Sequence, residues 1–382
     1  MKSPDYFEFF SQAKVMSGSK GLEQLSLELE GMGAERPLIL SGEPSLTKGV
    51  IKAFYESKIS IGAVYDDIPS TATSALAERL AALFAWKECD SIIAVGSDSV
   101  MDLAKAVNIA VSLPENILTY MGDDEIPSPL KPFVAVVTAD LKGYETTNRA
   151  TIDRQLYRSD FLYPDIICID ERMMKKQDTE SLLDISLVAL TQAIEASAEP
   201  VNNALNDAYA LAGIQGIAEY APQLLKKGGN KKFLKGFTGA ASFAGIAFAN
   251  APTGPVHSLG AALAEETGHP EGVLMGIILM SQLERKLAGK EGVRDDLLFA
   301  LGGFDIMAAT APEEKGRAAV SLLKEFIFNF GAAMPHSLEE LHIPRYKMEA
   351  AAERAAKTCE RKIALKECLA ILEDAEQGLG LV

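Results

Sequence analysis

Short apolar runs rich in β-branched residues, spaced by segments of helical length, fill the first 170 residues of this chain and then stop. Pro37-Leu38-Ile39-Leu40-Ser41, Ile59 to Tyr65, Ser91-Ile92-Ile93-Ala94-Val95, Phe133 to Val137 and Ile166 to Ile169 read as strands. Unbroken runs of this kind suit strands buried on both faces of a parallel sheet. Thr71 to Lys87 repeats apolar residues at nearly every third or fourth position, the period of a helix, and Thr47 to Lys58 is a second helical stretch. This alternation predicts an open parallel sheet wound with helices on both faces. From about Thr179 the text turns to Ala, Leu, Glu and Lys with helical periodicity, broken at Pro200, Pro252, Pro270, Pro335 and Pro344. The expectation is an α/β domain over residues 1–178 and an all-α domain over residues 179–382. A ligand site is then expected in the interdomain cleft.

The bulk numbers narrow the function. A chain of 382 residues exceeds one ordinary core, and 48% hydrophobic with 24% charged residues suits a globular protein. The longest apolar runs, such as Val273 to Met280, fall short of the roughly 18 residues of a membrane span. Asp5 and Glu8 stand where a signal peptide needs positive charge and an apolar stretch, so a cytoplasmic location is expected. With 37 basic against 53 acidic residues the net charge is −16, which argues against nucleic acid or an anionic membrane as a partner. Cys89, Cys168, Cys359 and Cys368 form no C-x-x-C pair and read as reduced, buried thiols.

Several segments, in order and at matching separations, carry a family resemblance. Lys14 to Gly18 with Gly21-Leu22-Glu23-Gln24-Leu25 looks like an opening strand and turn, and Ala94 to Lys105 resembles a G-G-G-S-x-x-D-x-A-K cofactor motif. Pro164 to Asp170 resembles a strand ending in D-P, with Glu171 at the proline position. Asp184 to Glu195 resembles D-A-L-T-H-A-I-E, Ala244 to Asn250 with Gly254 to His257 resembles A-G-x-A-F-x-N…G-x-x-H, and Met334 to Leu338 resembles a late P-x-x-L element. Together these resemble the iron-containing (group III) alcohol dehydrogenases, within the dehydroquinate synthase-like superfamily. The resemblance implies a Rossmann-like nucleotide-binding domain, a helical metal and substrate domain, NAD or NADP, a divalent metal (Fe or Zn), and a homodimer.

At the metal positions implied by this resemblance, an Asp and a His one helical turn apart become Val188 and Gln192. Residues four apart share one helix face, which lets such a pair hold one ion. His257 keeps the third position, and Glu271 stands at the fourth. Val188 has no donor, and a neutral Gln192 amide is a poor ligand for iron or zinc. Gln192, His257 and Glu271 therefore make an incomplete tetrahedral set. Glu195, Glu265, Glu266 and His269 offer a relocated set, or are surface charges of helix ends and loops; His257 reads either as a catalytic residue or as a hydrogen-bonded residue of the cleft wall.

The nucleotide positions are altered too. Of three glycines that would admit a pyrophosphate only Gly96 remains, followed by Ser97, Asp98, Ser99 and Asp102. Asp98 either points a carboxylate where phosphates would lie, or Asp98 or Ser99 acts as the N-cap of the following helix. In the loop Val137 to Glu145, Thr138 is retained, while Leu141, Lys142 and Tyr144 replace small residues. Lys142 is read as a phosphate ligand or as a partner of Asp98. Gly42 stands at a ribose-binding acidic position, a change that would tolerate the 2′-phosphate of NADP.

Two functional readings follow. One is an NAD(P)-dependent alcohol dehydrogenase-type oxidoreductase, with its ordinary metal-dependent activity weak, altered or absent. The other is a pseudoenzyme, a small-molecule-binding or regulatory scaffold. A third, metal-free acid–base chemistry through His257, Glu271 or Lys142, is specified by no further residue.

Overall fold

The computed structural model describes residues 6–55, 59–198, 203–227, 229–289, 292–328 and 334–378. The chain divides into two compact units. One comprises residues 10–176 with 229–238, and the other residues 177–228 and 239–382 together with the N-terminal nine. The segment 229–238 thus belongs with the α/β unit, although a boundary drawn at residue 178 sets it in the helical half.

The α/β unit alternates β1 (Lys14–Ser17), α1 (Gly21–Gly31), β2 (Pro37–Ser41), α2 (Pro44–Phe54), β3 (Ala63–Tyr65), α3 (Ser74–Trp86), β4 (Ser91–Val95) and α4 (Asp98–Ser112). There follow β5 (Gly122–Asp123), β6 (Phe133–Val136), β7 (Arg149–Ile152), β8 (Gln155–Arg158) and β9 (Ile166–Ile169). Six strands form a parallel sheet in the order β1-β9-β6-β4-β2-β3. Every residue of β2, β4, β6 and β9 is buried, whereas the edge strands β1 and β3 are partly exposed. This is the burial that continuous apolar runs predict for central parallel strands.

Three elements depart from expectation. The helix expected over Thr47 to Lys58 starts at Pro44, because proline suits a first helical turn, and runs to Phe54; residues 56–58 lie outside the described set. The strand expected from Ile59 pairs only over Ala63–Tyr65, as the edge strand beside β2. A second, three-stranded sheet, β5-β8-β7, was not expected. Its hairpin turns on Asp153 and Arg154, both with positive φ (50° and 62°), so the tight turn carries none of the usual glycine signal.

The helical unit contains α5 (Thr179–Ser197), α6 (Ala204–Lys227), α7 (Lys231–Ala249), α8 (Pro255–Thr267), α9 (Glu271–Ala288), α10 (Asp295–Ala309), α11 (Lys315–Phe328), α12 (Arg345–Thr358) and α13 (Leu365–Gln377). The first residues of α7 are those that cluster with the α/β unit. Asp178 caps α5 by accepting the Ser181 N–H at 2.7 Å, which sets the start of the helical text. From Leu182 to Ser197, α5 is buried on all sides except at Asp184, so it is the core helix of its unit. The proline break at Pro200 lies outside the described residues. Among the described residues, no helix is long and apolar enough to cross a membrane.

Candidate functional site

Asp184, Val188, Thr191, Gln192 and Glu195 fall within an arc of about 100° on α5 at 3.6 residues per turn. The two ends of this strip are carboxylates, eleven residues or about three turns apart. Glu195 accepts the backbone N–H groups of Val256 and His257 at 2.9 and 3.0 Å, satisfying the first turn of α8. Asp184 accepts the Gly272 N–H at 2.6 Å, in the first turn of α9. One helix thus supplies a carboxylate to the positive ends of two others.

Two glycines permit these approaches. A Cβ at Gly254, the residue before α8, would stand 2.3 Å from Glu195 Oε1. A Cβ at Gly272 would stand 2.1 Å from the Asp184 carbonyl oxygen. Glu195 is therefore a helix cap, and it is buried, which corrects the reading of it as a surface charge. Burial raises its carboxyl pKa, while Arg361 and those two N–H groups pull it back toward the ionised form.

Between the carboxylates lie two residues that the resemblance sets at metal-ligand positions, Val188 and Gln192. Val188 is completely buried. Gln192 and Thr191 are also completely buried. Neither end of the Gln192 amide, nor the Thr191 hydroxyl, has a hydrogen-bond partner among the described residues. His257 is the third residue of α8, buried, with its ring 4.6 Å from that of Phe248. Glu271 opens α9 and is half-buried. Among the described residues, no three His, Cys, Asp or Glu side chains are grouped so as to hold a metal ion. Glu265 is engaged elsewhere, in an ion pair with Arg354. The donor set at this strip does not fit a divalent cation: its carboxylates cap helices, its central position is a valine, and its amide is neutral.

In the α/β unit the loops after β2, β4 and β6 lie side by side at the carboxyl ends of their strands, where open α/β sheets place ligands. Gly96 has φ +142°, and a Cβ there would stand 3.0 Å from Val100 Cγ2, so the turn requires glycine. Gly42 comes from the β2 loop, and its N lies 3.6 Å from that same Cβ position. The N-cap of α4 is Ser97, which corrects the assignment to Asp98 or Ser99. The Ser97 hydroxyl meets that of Ser99 at 3.1 Å instead of capping the helix. Asp98, in the first turn of α4, accepts the backbone N–H of Lys142 at 3.4 Å. The two loops meet as one reading of Lys142 expected, and the contact runs through its backbone. Thr138 is buried and its hydroxyl bonds to Asp140. Leu141 is buried as well. A carboxylate at the mouth of α4 does not suit a diphosphate, which binds there through helix N–H groups and the positive dipole.

Asp102 and Lys105 follow on α4. Lys105 is buried and donates to the carbonyls of Thr147 (2.8 Å) and Arg149 (2.7 Å), tying α4 to the segment leading into β7. Burial lowers its pKa to about 8, against the opposing pull of Asp102, Glu145 and Asp98. Its part is structural, and the preceding sequence motif did not distinguish that from cofactor binding. Asp184 and the Thr191 hydroxyl were also missed as members of the strip; the eleven-residue Asp–Glu spacing on one helix was the available signal.

With this geometry in view, the chain is similar over most of its length to one group of oxidoreductases. Residues 12–171 match the family profile described as iron-containing alcohol dehydrogenase. Residues 183–375 match the profile of the Fe-containing alcohol dehydrogenase family, C-terminal region. The chain belongs to the iron-containing alcohol dehydrogenase family. It is 25% identical over 261 residues to an NAD-dependent methanol dehydrogenase of Bacillus methanolicus, covering 66% of this chain and 68% of that protein. It is 28% identical over 202 residues to a probable alcohol dehydrogenase, EutG, of Escherichia coli, and the match spans 51% of either protein. Its fold is that of a crystallised 1,3-propanediol oxidoreductase, with TM-score 0.87, 22% identity, and 97% and 100% of the two chains covered.

Proposed function

We propose that this chain is an alcohol dehydrogenase-type oxidoreductase by descent in which ordinary metal-dependent interconversion of alcohols and aldehydes with NAD(P) is weak or absent. One observation carries the reading: the fully buried Val188 stands in the strip where a carboxylate is needed to neutralise the ion. Without a Lewis acid to polarise the alcohol oxygen, several kcal/mol of transition-state stabilisation are missing. Asp98 in the first turn of α4 supports the same reading on the nucleotide side, since it repels a diphosphate. Family membership and the NAD-dependent relative support NAD and iron as the ancestral cofactors. His257 is the retained residue through which any remaining dehydrogenase chemistry would act.

Calorimetric titration of NADH and NADPH, with and without Zn²⁺ or Fe²⁺, tests this reading. The expected outcome is no micromolar binding to a folded sample, which would leave the non-catalytic scaffold with another small-molecule ligand. Micromolar binding, followed by turnover of simple alcohols, would restore the dehydrogenase reading. We also propose a homodimer, for which light scattering should return twice the 41.0 kDa of one chain.

A further inference from the structure

Three buried polar atoms of the α5 strip have no hydrogen-bond partner among the described residues: both ends of the Gln192 amide and the Thr191 hydroxyl. An unpartnered buried polar atom costs about 1–3 kcal/mol, and folded proteins seldom leave both ends of one amide unpaired. The flanking carboxylates meet backbone donors of other helices: Asp184 accepts the Gly272 N–H, and Glu195 those of Val256 and His257. Val188 adds an apolar wall one turn from Gln192.

We propose that this strip is a metal-independent site for an uncharged oxygen, held by the Gln192 amide and the Thr191 hydroxyl. The oxygen belongs to water or to the hydroxyl or carbonyl of a small organic molecule. A neutral oxygen can accept from Gln192 Nε2, while a hydroxyl or water can also donate to Gln192 Oε1 or Thr191 Oγ1. A divalent cation meets here a neutral amide and a hydroxyl, and its desolvation is not offset. Charge therefore selects the occupant: neutral ligands enter and cations do not. This inference rests on the reading above only in its lack of a metal, and does not depend on the nucleotide site.

The test compares the wild type, Gln192→Leu and the double variant Val188→Asp with Gln192→His. After incubation with Zn²⁺ or anaerobic Fe²⁺ and desalting, elemental analysis of the wild type should find well under one equivalent of metal. The double variant should retain metal and melt higher in Zn²⁺. Should it not fold, the two other proteins decide. Gln192→Leu should melt lower than the wild type, because it loses a bridged oxygen. A rise in wild-type melting temperature with acetamide or ethanediol, absent in Gln192→Leu, assigns an organic oxygen; no rise assigns water. One equivalent of metal on the wild type, lost in Gln192→Leu, would overturn the proposal. So would a Gln192→Leu protein more stable than the wild type, since the amide would then be a true orphan. Nucleotide binding by a metal-free wild type would instead overturn the reading of Asp98 and leave this site intact.

Discussion

At the scale of single residues, the strip is held by close approaches that leave no slack. Glu195 meets two backbone donors of α8, and nothing else in that first turn replaces it. Glu195→Ala should destabilise the protein by roughly 2–4 kcal/mol, since two N–H groups lose a charged acceptor in a buried setting. Urea unfolding followed by circular dichroism checks this, and a change under about 0.5 kcal/mol would deny the capping role. Gly254→Ala should act at the same point from the other side, because its Cβ would fall 2.3 Å from Glu195 Oε1. The loss should be smaller when combined with Glu195→Ala than the two single losses added, as expected for residues in contact. Local text spelled out little of this. The Asp184–Glu195 spacing was readable as one helix face, but which helix ends those carboxylates meet depends on residues about 60 to 90 positions away.

At the scale of elements, α4 is anchored by a buried cation. Lys105 replaces water with the carbonyls of Thr147 and Arg149, so Lys105→Met should cost about 3 kcal/mol. Its pKa is lowered on folding to about 8 from 10.5, so the unfolded chain takes up the proton more readily across that interval. The associated stability is present above 10.5 and is lost as pH falls through 8, a change of about 3 kcal/mol. The stability difference between wild type and Lys105→Met should therefore widen as pH rises from 8 to 10.5. Parallel curves over that window would show that Lys105 is not a desolvated ammonium. The β4–Gly96–α4 unit was legible because a buried apolar run, a glycine and a helical stretch are local signals. The β7–β8 hairpin was not, because Asp153 and Arg154 adopt the left-handed region without glycine and tertiary contacts hold them there: the Asp153 carboxylate accepts the Ser74 N–H at 3.1 Å.

At the scale of the whole molecule, the two units do not divide the chain at one point. Residues 229–238, including the buried Leu234 and Phe237, cluster with the α/β unit although they lie inside the helical text. Within that unit Lys235 pairs with Glu171 at 3.2 Å and the Thr238 hydroxyl meets Met174 Sδ at 3.5 Å. A fragment ending at residue 178 lacks these partners, so it should bind a hydrophobic dye and unfold without a sharp transition. A fragment that melts cooperatively and binds no dye would show that 229–238 is dispensable. Periodicity made the sheet and the helices readable in their chain order, because strand and helix repeats need only neighbouring residues. That Val188 carries no donor and Gln192 only a neutral amide was equally plain, since that is a fact of residue type. Which backbone donors the carboxylates of α5 meet could be read only in three dimensions. Their oxygens are committed to the N–H groups of helices distant in sequence, and a hydrogen-bond partner brought by tertiary packing leaves no trace in the order of residues around it.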